Sequence, residues 1–307
     1  MTTAQRSFSN EHDKHLMSVL ARQFPANNLH VVDLAYRLSS WTFDNPDNIR
    51  LWFDENQQMI AWAAFQTPFW TIDYVCHPDA ETYLHQKILS WADQHARILS
   101  DTAYGHPAWY INVFSGQVNR IHDLEDAGFK CQSDVGDDSW SKVLMRRSFQ
   151  TPVRIYNPRS GFTVRPLAGE KEVGHYVELH QSVFESKNMT IDWRTRILQN
   201  PDYKPDLDIV VESPDGRLVA FCICWLNDNS LEGHVEPLGC HKDFRQYGLG
   251  RVALSEGLHR LLSLGAQNVF VETDNYRNTA LRLYESFDFQ VIQDVLVYRK
   301  NYGAMQV

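Results

Sequence analysis

The 307-residue chain lacks the sequence signatures of several common protein classes. Its five cysteines form no CxxC pair and its 13 histidines show no HExxH or HxH spacing, so we predict neither a metal site nor a disulfide framework. Cys222 and Cys224, two apart in an apolar run, fit buried small hydrophobic residues better than metal ligands. No apolar run is long enough to span a membrane, and the N-terminal stretch has no apolar signal-peptide core. These absences favour a cytoplasmic protein that does not bind membranes.

Positive charge is also in short supply. The sequence has 29 Lys and Arg against 38 Asp and Glu, a formal net charge of −9. This balance argues against nucleic acid as a partner and favours a cationic small molecule or peptide as substrate. With 43% hydrophobic residues and no low-complexity tract, the chain has the composition of a folded protein, and its length suits one large domain or two ordinary ones.

The same order of elements is predicted on either side of a polar segment, residues 147–161, which carries two prolines and a glycine. "LWFDENQQMIAWAAF" in the first half and "IVVESPDGRLVAFCICWL" in the second each predict a hairpin of two strands. Each hairpin is followed by a strand, a helix, a strand, a second helix and a last strand. The stretch "CHPDAETY" of the first half aligns with "CHKDFRQY" of the second, with four matches in eight. We therefore predict two homologous α+β domains, residues 1–150 and 160–307.

The segment "HKDFRQYGLG" (residues 241–250) joins a predicted strand, residues 231–240, to a predicted helix that Gly265 ends. At such a turn the first amides of the helix have no partner within it and the helix dipole is positive, which suits a pyrophosphate. Gly248 and Gly250 allow phosphate oxygens to approach the backbone. A Rossmann fingerprint needs a third glycine and a Walker loop needs Gly-Lys-Ser/Thr, and neither is present. The segment is therefore interpreted as a phosphate-binding loop of another type.

Two separated stretches, "EPLGCHKDFRQYGLGRVAL" and "ETDNYRNTALRLYESFDF", resemble the acetyl-CoA signature of the GNAT N-acetyltransferase superfamily. The resemblance covers residues 161–300 strongly and residues 1–150 only in the order of elements. It implies two tandem GNAT-like domains, each a mixed, mostly antiparallel central sheet flanked by helices. It also implies that the second domain binds acetyl-CoA as co-substrate, without a metal, where two adjacent strands splay apart.

The resemblance further implies which residues hold the cofactor. Part of a strand backbone would pair with the pantetheine arm, and the loop amides would hold the pyrophosphate. The implied set is Leu238, Gly239, Cys240, Arg245, Gln246, Tyr247, Gly248, Leu249, Gly250, Arg251 and Asn278. The second motif departs from the family pattern, because Arg277 stands where an Asn is usual and Asp288 replaces a glycine. Asn278 comes one residue late, which leaves its contact with the cofactor open.

Four residues are candidates for acetyl transfer, which needs a base for the amine, a donor for the developing oxyanion and a proton for the thiolate. By family position Tyr284 is the acid. His234 and Glu236 share one face of the strand before the loop, and Glu272 ends the next strand. Because a charged Glu among apolar neighbours is costly to bury, Glu236 or Glu272 is the predicted base, with Glu236 preferred. Core packing of Tyr284 and structural ion pairs of the two carboxylates are the alternative interpretations.

The first half departs from the signature at its aligned loop. Glu81, Leu84 and Gln86 replace the arginine and the two glycines, and Leu124 aligns with the tyrosine. A carboxylate and two bulky side chains would repel or block a pyrophosphate. We therefore predict that the first domain does not bind acetyl-CoA, and that it covers the second domain or helps to form the acceptor pocket.

The leading hypothesis is an acetyl-CoA-dependent acyltransferase that N-acetylates an amine of a small molecule or peptide, as a monomer or homodimer. Direct attack in a ternary complex is preferred, because a route through Cys240 has no base assigned. The alternative is a non-catalytic acyl-CoA-binding regulatory protein, which would need the loop but neither Tyr284 nor a base. Phe184, Met189 and Trp193 are candidates for the acceptor pocket or for core packing.

Overall fold

The computed structural model describes residues 3–135 and 140–303. Both halves contain the elements that the sequence predicts, in the predicted order. The first half comprises β1 (Ala4–Ser7), α1 (Glu11–Gln23), α2 (Leu34–Leu38), β2 (Ile49–Phe53), β3 (Met59–Gln66), β4 (Thr71–Cys76), α3 (Pro78–Leu99), β5 (Ala108–Phe114), α4 (Val118–Asp126), β6 (Lys130–Cys131) and β7 (Lys142–Ser148). The second half comprises β8 (Thr163–Pro166), α5 (Val173–Phe184), α6 (Ile191–Gln199), β9 (Asp208–Glu212), β10 (Leu218–Asn227), β11 (Glu232–Cys240), α7 (Leu249–Ser263), β12 (Asn268–Asp274), α8 (Asn278–Glu285) and β13 (Gln290–Asn301).

The strands form one mixed, mostly antiparallel sheet that runs through both halves. Its order is β1-β2-β3-β4-β5-β13-β7-β12-β11-β10-β9-β8, with the two-residue β6 beside β13. Among the described strands only β4–β5 and β11–β12 are parallel pairs. Helices pack against the sheet, so the predicted α+β class with a mostly antiparallel sheet is confirmed.

The last strand of each half pairs with the other half. β7 lies antiparallel to β12, with Lys142 opposite Asp274, and β13 lies antiparallel to β5, with Val295 opposite Phe114. β7 and β13 also pair with each other at the centre of the sheet. The two halves are therefore joined by exchanged strands, which the sequence did not predict. The division into domains 1–150 and 160–307 stays a prediction.

The segment predicted as a linker begins later than expected, because Arg147 belongs to β7. Arg147 is 1% exposed, and its guanidinium donates to the carbonyls of Phe287 (2.8 Å), Thr151 (3.0 Å) and Pro152 (3.0 Å). A buried arginine whose donors are satisfied by backbone carbonyls is indistinguishable in sequence from a solvated loop arginine. These bonds fix the start of the connecting segment beside the end of α8.

Both halves contribute to a shared hydrophobic core. Side chains of the first half, among them Tyr36, pack in one cluster with Trp193, Phe221 and Trp225 of the second half. On the other face of β10, Cys222 and Cys224 are buried free cysteines, as expected, with sulfur atoms 3.7 Å apart. No helix in the described part of the chain is long and apolar enough to cross a membrane.

Candidate active site

β11 and β12 pair with each other only at their starts. The parallel register runs from Glu232 opposite Asn268 to His234 opposite Phe270 and then ends. Beyond His234, β11 stays paired with β10 as far as Cys240, but it has no strand partner on its other edge. The two strands therefore splay apart and leave an opening in the sheet, as the resemblance implies.

The loop after β11 presents a group of unpaired amides. After one short turn, Lys242–Phe244, the backbone adopts left-handed φ angles of 72° at Gln246 and 77° at Gly248, and α7 begins at Leu249. In the described chain, no acceptor is found for the amides of Gln246, Gly248, Leu249 and Arg251. Because these donors lie at the positive end of α7, the loop has the properties of an anion-binding site.

The glycines of this region differ in whether the surrounding structure has room for a side chain. A Cβ on Gly248 would meet nothing within 4 Å, and a Cβ on Gly250 would only touch Cys240 at 3.9 Å. Packing of the protein therefore requires neither glycine, and the space beside them is open. A Cβ on Gly239, in contrast, would lie 2.5 Å from the Phe221 ring and 2.7 Å from Val183. Gly239 is required by close packing under the strand, whatever it contacts on the open edge.

A cavity of about 1080 Å³ lies where this opening meets the first half. All four predicted catalytic residues line it: His234, Glu236, Glu272 and Tyr284. The predicted cofactor residues in its wall are Leu238, Gly239, Cys240, Arg245, Gly250 and Asn278. Gln246, Tyr247, Gly248, Leu249 and Arg251 are not among its lining residues and belong to the loop beside it. The first half contributes His30, Tyr36, Arg37, Pro68, Phe69 and Lys142.

Glu236 lies on a bulge of β11, where the register with β10 shifts between Cys222 and Cys224. The indole N–H of Trp225 donates to the Glu236 carbonyl at 2.8 Å and so holds the bulge in place. Burial and the nearby Asp33 carboxylate raise the pKa of Glu236 to about 7. A carboxyl group with a pKa near neutral pH is well suited to act as a general base.

Glu272 is held in an ion pair instead. Its Oε1 accepts from Lys142 Nζ at 2.6 Å, and its side chain is 8% exposed. Although burial raises it, Lys142 and His30 lower the pKa of Glu272 to about 2. A carboxylate this acidic is a weaker proton acceptor than a carboxylate with a pKa of about 7, such as Glu236. His234 is buried as well, and burial lowers its pKa.

Tyr284 contacts both the hydrophobic core and the cavity. It packs against Phe289, with ring centroids 5.6 Å apart, and it also lines the cavity. Burial raises the pKa of its hydroxyl, which therefore stays protonated and able to donate. Nearby, Asn278 is exposed at the start of α8, and Arg277 pairs with Asp274 at 2.8 Å.

Charged side chains near the cavity form a network that sequence reasoning missed. His30 Nδ1 lies 2.9 Å from Asp33 Oδ2, Arg37 donates to Asp73 at 2.8 Å, and Lys142 comes from the exchanged strand β7. His30, Asp33 and Arg37 are close in sequence, but they meet Asp73, Lys142 and Glu272 only through long-range packing. No group of His, Cys, Asp or Glu in the described ranges could hold a metal ion.

The proposed acceptor-pocket residues divide between cavity and core. Phe184 and Trp193 line the cavity, whereas Met189 is fully buried in the core. Two aromatic residues of the first half complete this side of the cavity, since Tyr36 and Phe69 lie 5.1 Å and 5.6 Å from Trp193 between ring centroids.

The equivalent opening of the first half is filled by side chains. β4 and β5 pair only at Thr71 and Tyr110, and the space between them is about 40 Å³. Hydrogen bonds of 2.7 Å link the Tyr74 hydroxyl to His85 Nε2 and His85 Nδ1 to Asp123 across this region. The cavity on this side of the first half is therefore far smaller than the one in the second half.

The first half also has no loop at the aligned position. α3 begins at Pro78, directly after β4, so that Glu81, Leu84 and Gln86 lie within a helix. Leu84 is fully buried and Gln86 is exposed, while the side chain of Glu81 lies outside the described part of the structure. Leu124, aligned with the tyrosine, is buried in the core.

Residues 175–289, which include the splayed strands, the loop and α8, match the sequence profile of the acetyltransferase (GNAT) family. This part of the chain is therefore similar to the GNAT family, in agreement with the resemblance of its two motifs. Mycothiol acetyltransferase from Thermomonospora curvata is 28% identical over 151 residues, which cover 48% of this chain and 50% of that protein. The chain thus spans about half the length of this relative.

Known structures extend the similarity to the first half. A GCN5-related N-acetyltransferase from Sphaerobacter thermophilus superposes with a TM-score of 0.67 at 15% identity, covering 98% of this chain and 96% of that one. A tandem GNAT protein from the clavulanic acid biosynthesis pathway gives a TM-score of 0.66 at 11% identity, covering 99% and 100%. At these identities the similarity shows the fold, and it agrees with a tandem arrangement.

Proposed function

We propose that the protein is an acetyl-CoA-dependent N-acetyltransferase acting on an amine of a small molecule. The observation that carries this proposal is a single cavity that runs from the loop of unpaired amides to Glu236, whose pKa is about 7. A base with this pKa beside an anion-binding loop suits the deprotonation of an amine next to a bound acyl donor. The name of the Thermomonospora curvata relative supports a small-molecule acceptor.

The residues around the loop fit acetyl-CoA. The open edge of β11 at Leu238 and Gly239 suits the pantetheine arm. The unpaired amides of Gln246, Gly248, Leu249 and Arg251 suit the pyrophosphate. Arg245 lies at the mouth of the cavity and adds positive charge on this side. When bound, the cofactor supplies the acetyl group as a thioester.

The remaining roles follow from the positions of the cavity side chains. Glu236 accepts the proton that the acceptor amine loses, and Trp225 holds it in place through the backbone bond. Tyr284, protonated and facing the cavity, donates a proton to the departing sulfur. Glu272 and His234 act on the electrostatic potential of the cavity and do not transfer protons. Glu272 is ion-paired, and His234 is buried.

Direct attack by the amine is favoured over a covalent intermediate on Cys240. Burial raises the pKa of the Cys240 thiol to about 11, so that the reactive thiolate is scarce. Its sulfur lies 3.7 Å from the carbonyl of His241, and no basic side chain is hydrogen-bonded to it among the described residues.

The first half is proposed to shape the acceptor side of the cavity without binding acetyl-CoA. Its own opening is filled, and the segment equivalent to the loop is helical. In the shared cavity it supplies an aromatic wall, Tyr36 and Phe69, and a polar wall that includes His30 and Lys142. Acceptor selection therefore depends on residues from both halves.

The test is calorimetric titration with acetyl-CoA, followed by an assay of CoA release with a panel of amines. In Gly250→Val the new side chain occupies the open space by the loop without a clash inside the protein. Gly174→Val is the matched control, because Gly174 is also the second residue of a helix and a Cβ there meets nothing within 4 Å. We expect Gly250→Val to weaken binding at least about tenfold by blocking phosphate access, and Gly174→Val to leave it unchanged.

Three outcomes separate the hypotheses. Binding and amine-dependent CoA release, both lost in Gly250→Val only, support the proposed enzyme. Tight binding without release for any amine supports the regulatory acyl-CoA-binding protein. Absence of binding, or equal binding by both variants, overturns the assignment of the loop.

A further inference from the structure

Two unpaired polar atoms lie close together in the wall of the cavity, one from each half. His30 Nε2 and Glu272 Oε2 are 3.7 Å apart, which is too long for a hydrogen bond. Both atoms are buried, and neither has a hydrogen-bond partner in the described chain. A buried polar atom without a partner costs free energy, so a bound group that makes hydrogen bonds to both atoms would be stabilised here.

The neighbours of the gap determine its protonation. His30 Nδ1 lies 2.9 Å from Asp33 Oδ2, and a carboxylate can only accept, so Nδ1 carries a hydrogen. Burial lowers the pKa of His30, but Asp33 and Glu272 outweigh it and raise the pKa above its ordinary value. The two carboxylates thus favour the imidazolium form, in which Nε2 also carries a hydrogen. Glu272, with a pKa of about 2, is an acceptor only.

The gap thus has a donor on one side and an acceptor on the other. A hydroxyl group accepts one hydrogen bond and donates another, so it satisfies both atoms at once. An ammonium group has donors only, and it would lie close to Lys142, whose Nζ is 2.6 Å from the other oxygen of Glu272. An alkyl group would leave both atoms unpaired.

We propose that His30 and Glu272 bind a hydroxyl group of the acceptor, which is therefore an amino alcohol or another hydroxylated amine. This inference rests on the proposed function, because it assigns the far end of an acceptor whose amine meets Glu236. Since the two side chains belong to different halves and their polar atoms lie just below the cavity wall, the hydroxyl enters by parting them. Glu272 is thereby a specificity residue and not the base.

The experiment compares three amines of matched length, an alkylamine, the amino alcohol and the diamine, from ethyl to hexyl chains. Each is titrated calorimetrically into the full-length protein, with and without CoA. We expect the amino alcohol of one chain length to bind about ten times more tightly than its alkylamine, as for one hydrogen bond to a charged group. Glu272→Ala should remove this preference.

Asp274→Asn is the control for the altered charge around Lys142. Asp274 Oδ1 lies 3.6 Å from Lys142 Nζ, so this variant also weakens the ion-pair cluster, but it leaves Glu272 Oε2 in place. The hydroxyl preference should survive in Asp274→Asn. Thermal melting of both variants shows whether either is unfolded, and His30→Leu provides a second variant on the other side of the gap.

The results distinguish failure of the hydroxyl-binding inference from failure of the proposed acetyltransferase function. Equal binding of the three amines by the wild type, at every chain length, overturns the inference. Preference for the diamine overturns it in favour of an ammonium site. A hydroxyl preference that Glu272→Ala abolishes, without CoA release from acetyl-CoA, supports the inference while the acetyltransferase assignment fails. If the alkylamine and the amino alcohol both cause CoA release with equal KM, the acetyltransferase assignment is supported and the hydroxyl-binding inference fails.

Discussion

Replacing Glu236 with glutamine is expected to stabilise the folded protein above neutral pH, although it removes the proposed base. The reason is that the cavity holds this carboxyl in a setting that disfavours its charged form, through burial first and then through the Asp33 carboxylate. Glutamine has the shape of the protonated acid and carries no charge at any pH. The buried carboxyl group of Glu236 is thus expected to destabilise the folded protein while it serves the proposed reaction.

The size of the effect follows from the pKa. The pKa of Glu236 is raised from 4.5 to about 7, so between these values the folded protein retains a proton that the unfolded chain has released. Stability contributed by Glu236 therefore falls as the pH rises from 4.5 to 7. At about 1.4 kcal/mol for each pKa unit, the full penalty above pH 7 is about 3 kcal/mol. Below pH 4.5 the residue is protonated in both states and the penalty disappears.

The assay is urea denaturation of the wild type and Glu236→Gln at about pH 5 and about pH 8. The variant should exceed the wild type in free energy of unfolding by about 3 kcal/mol at the higher pH and by about 1 kcal/mol or less at the lower. Glu232→Gln makes the same chemical change on the same strand but outside the cavity, and it is the control for the substitution itself. If Glu236→Gln does not increase the free energy of unfolding at pH 8, the cavity does not disfavour the charged form of Glu236, and the reasoning is refuted.

Four further results are expected. In the wild type, kcat/KM should fall as the pH drops through about 7, because Glu236 becomes protonated. Glu236→Gln should lower the rate about a hundredfold or more and remove this decrease of kcat/KM at low pH. If the decrease persists in the variant, another residue is the base. Tyr284→Phe should lower kcat about a hundredfold without changing acetyl-CoA affinity by calorimetry, whereas normal turnover would leave the tyrosine only a packing role. Cys240→Ala should keep kcat within about threefold, and loss of turnover would point to a covalent route. Trp225→Phe removes the 2.8 Å bond to the Glu236 carbonyl and should lower kcat about tenfold; an unchanged rate would show that the bulge holds without it.

The elements of the fold and the loop after β11 could be predicted because their signals are local. The strand before the loop, the glycines of the loop and the helix that follows all lie between Glu232 and Ser263. Their patterns reflect backbone requirements that one continuous segment expresses by itself. The same holds for Tyr284, which was placed by its position in a motif. The preference for Glu236 over Glu272 as the base stays a prediction, and the ion pair of Glu272 with Lys142 supports it.

The acceptor side could not be predicted, because it depends on contacts between distant segments. His30 and Arg37 lie on a short stretch of the first half that shows no motif, and Lys142 reaches Glu272 only because β7 pairs with β12. Strand pairing between halves leaves no periodic signal in either strand, since both partners look like ordinary half-buried strands. Arg147 was assigned to the linker for the same reason.

The exchange of β7 and β13 has a consequence for synthesis on the ribosome. When the first half has emerged, β5 still lacks the neighbour that covers its edge, because that neighbour is β13. Phe114 must remain without its cross-strand partner until Val295 has been translated. The nascent first half therefore has an exposed strand edge while most of the second half is being translated. Such an unpaired edge can aggregate or pair with a strand of another chain.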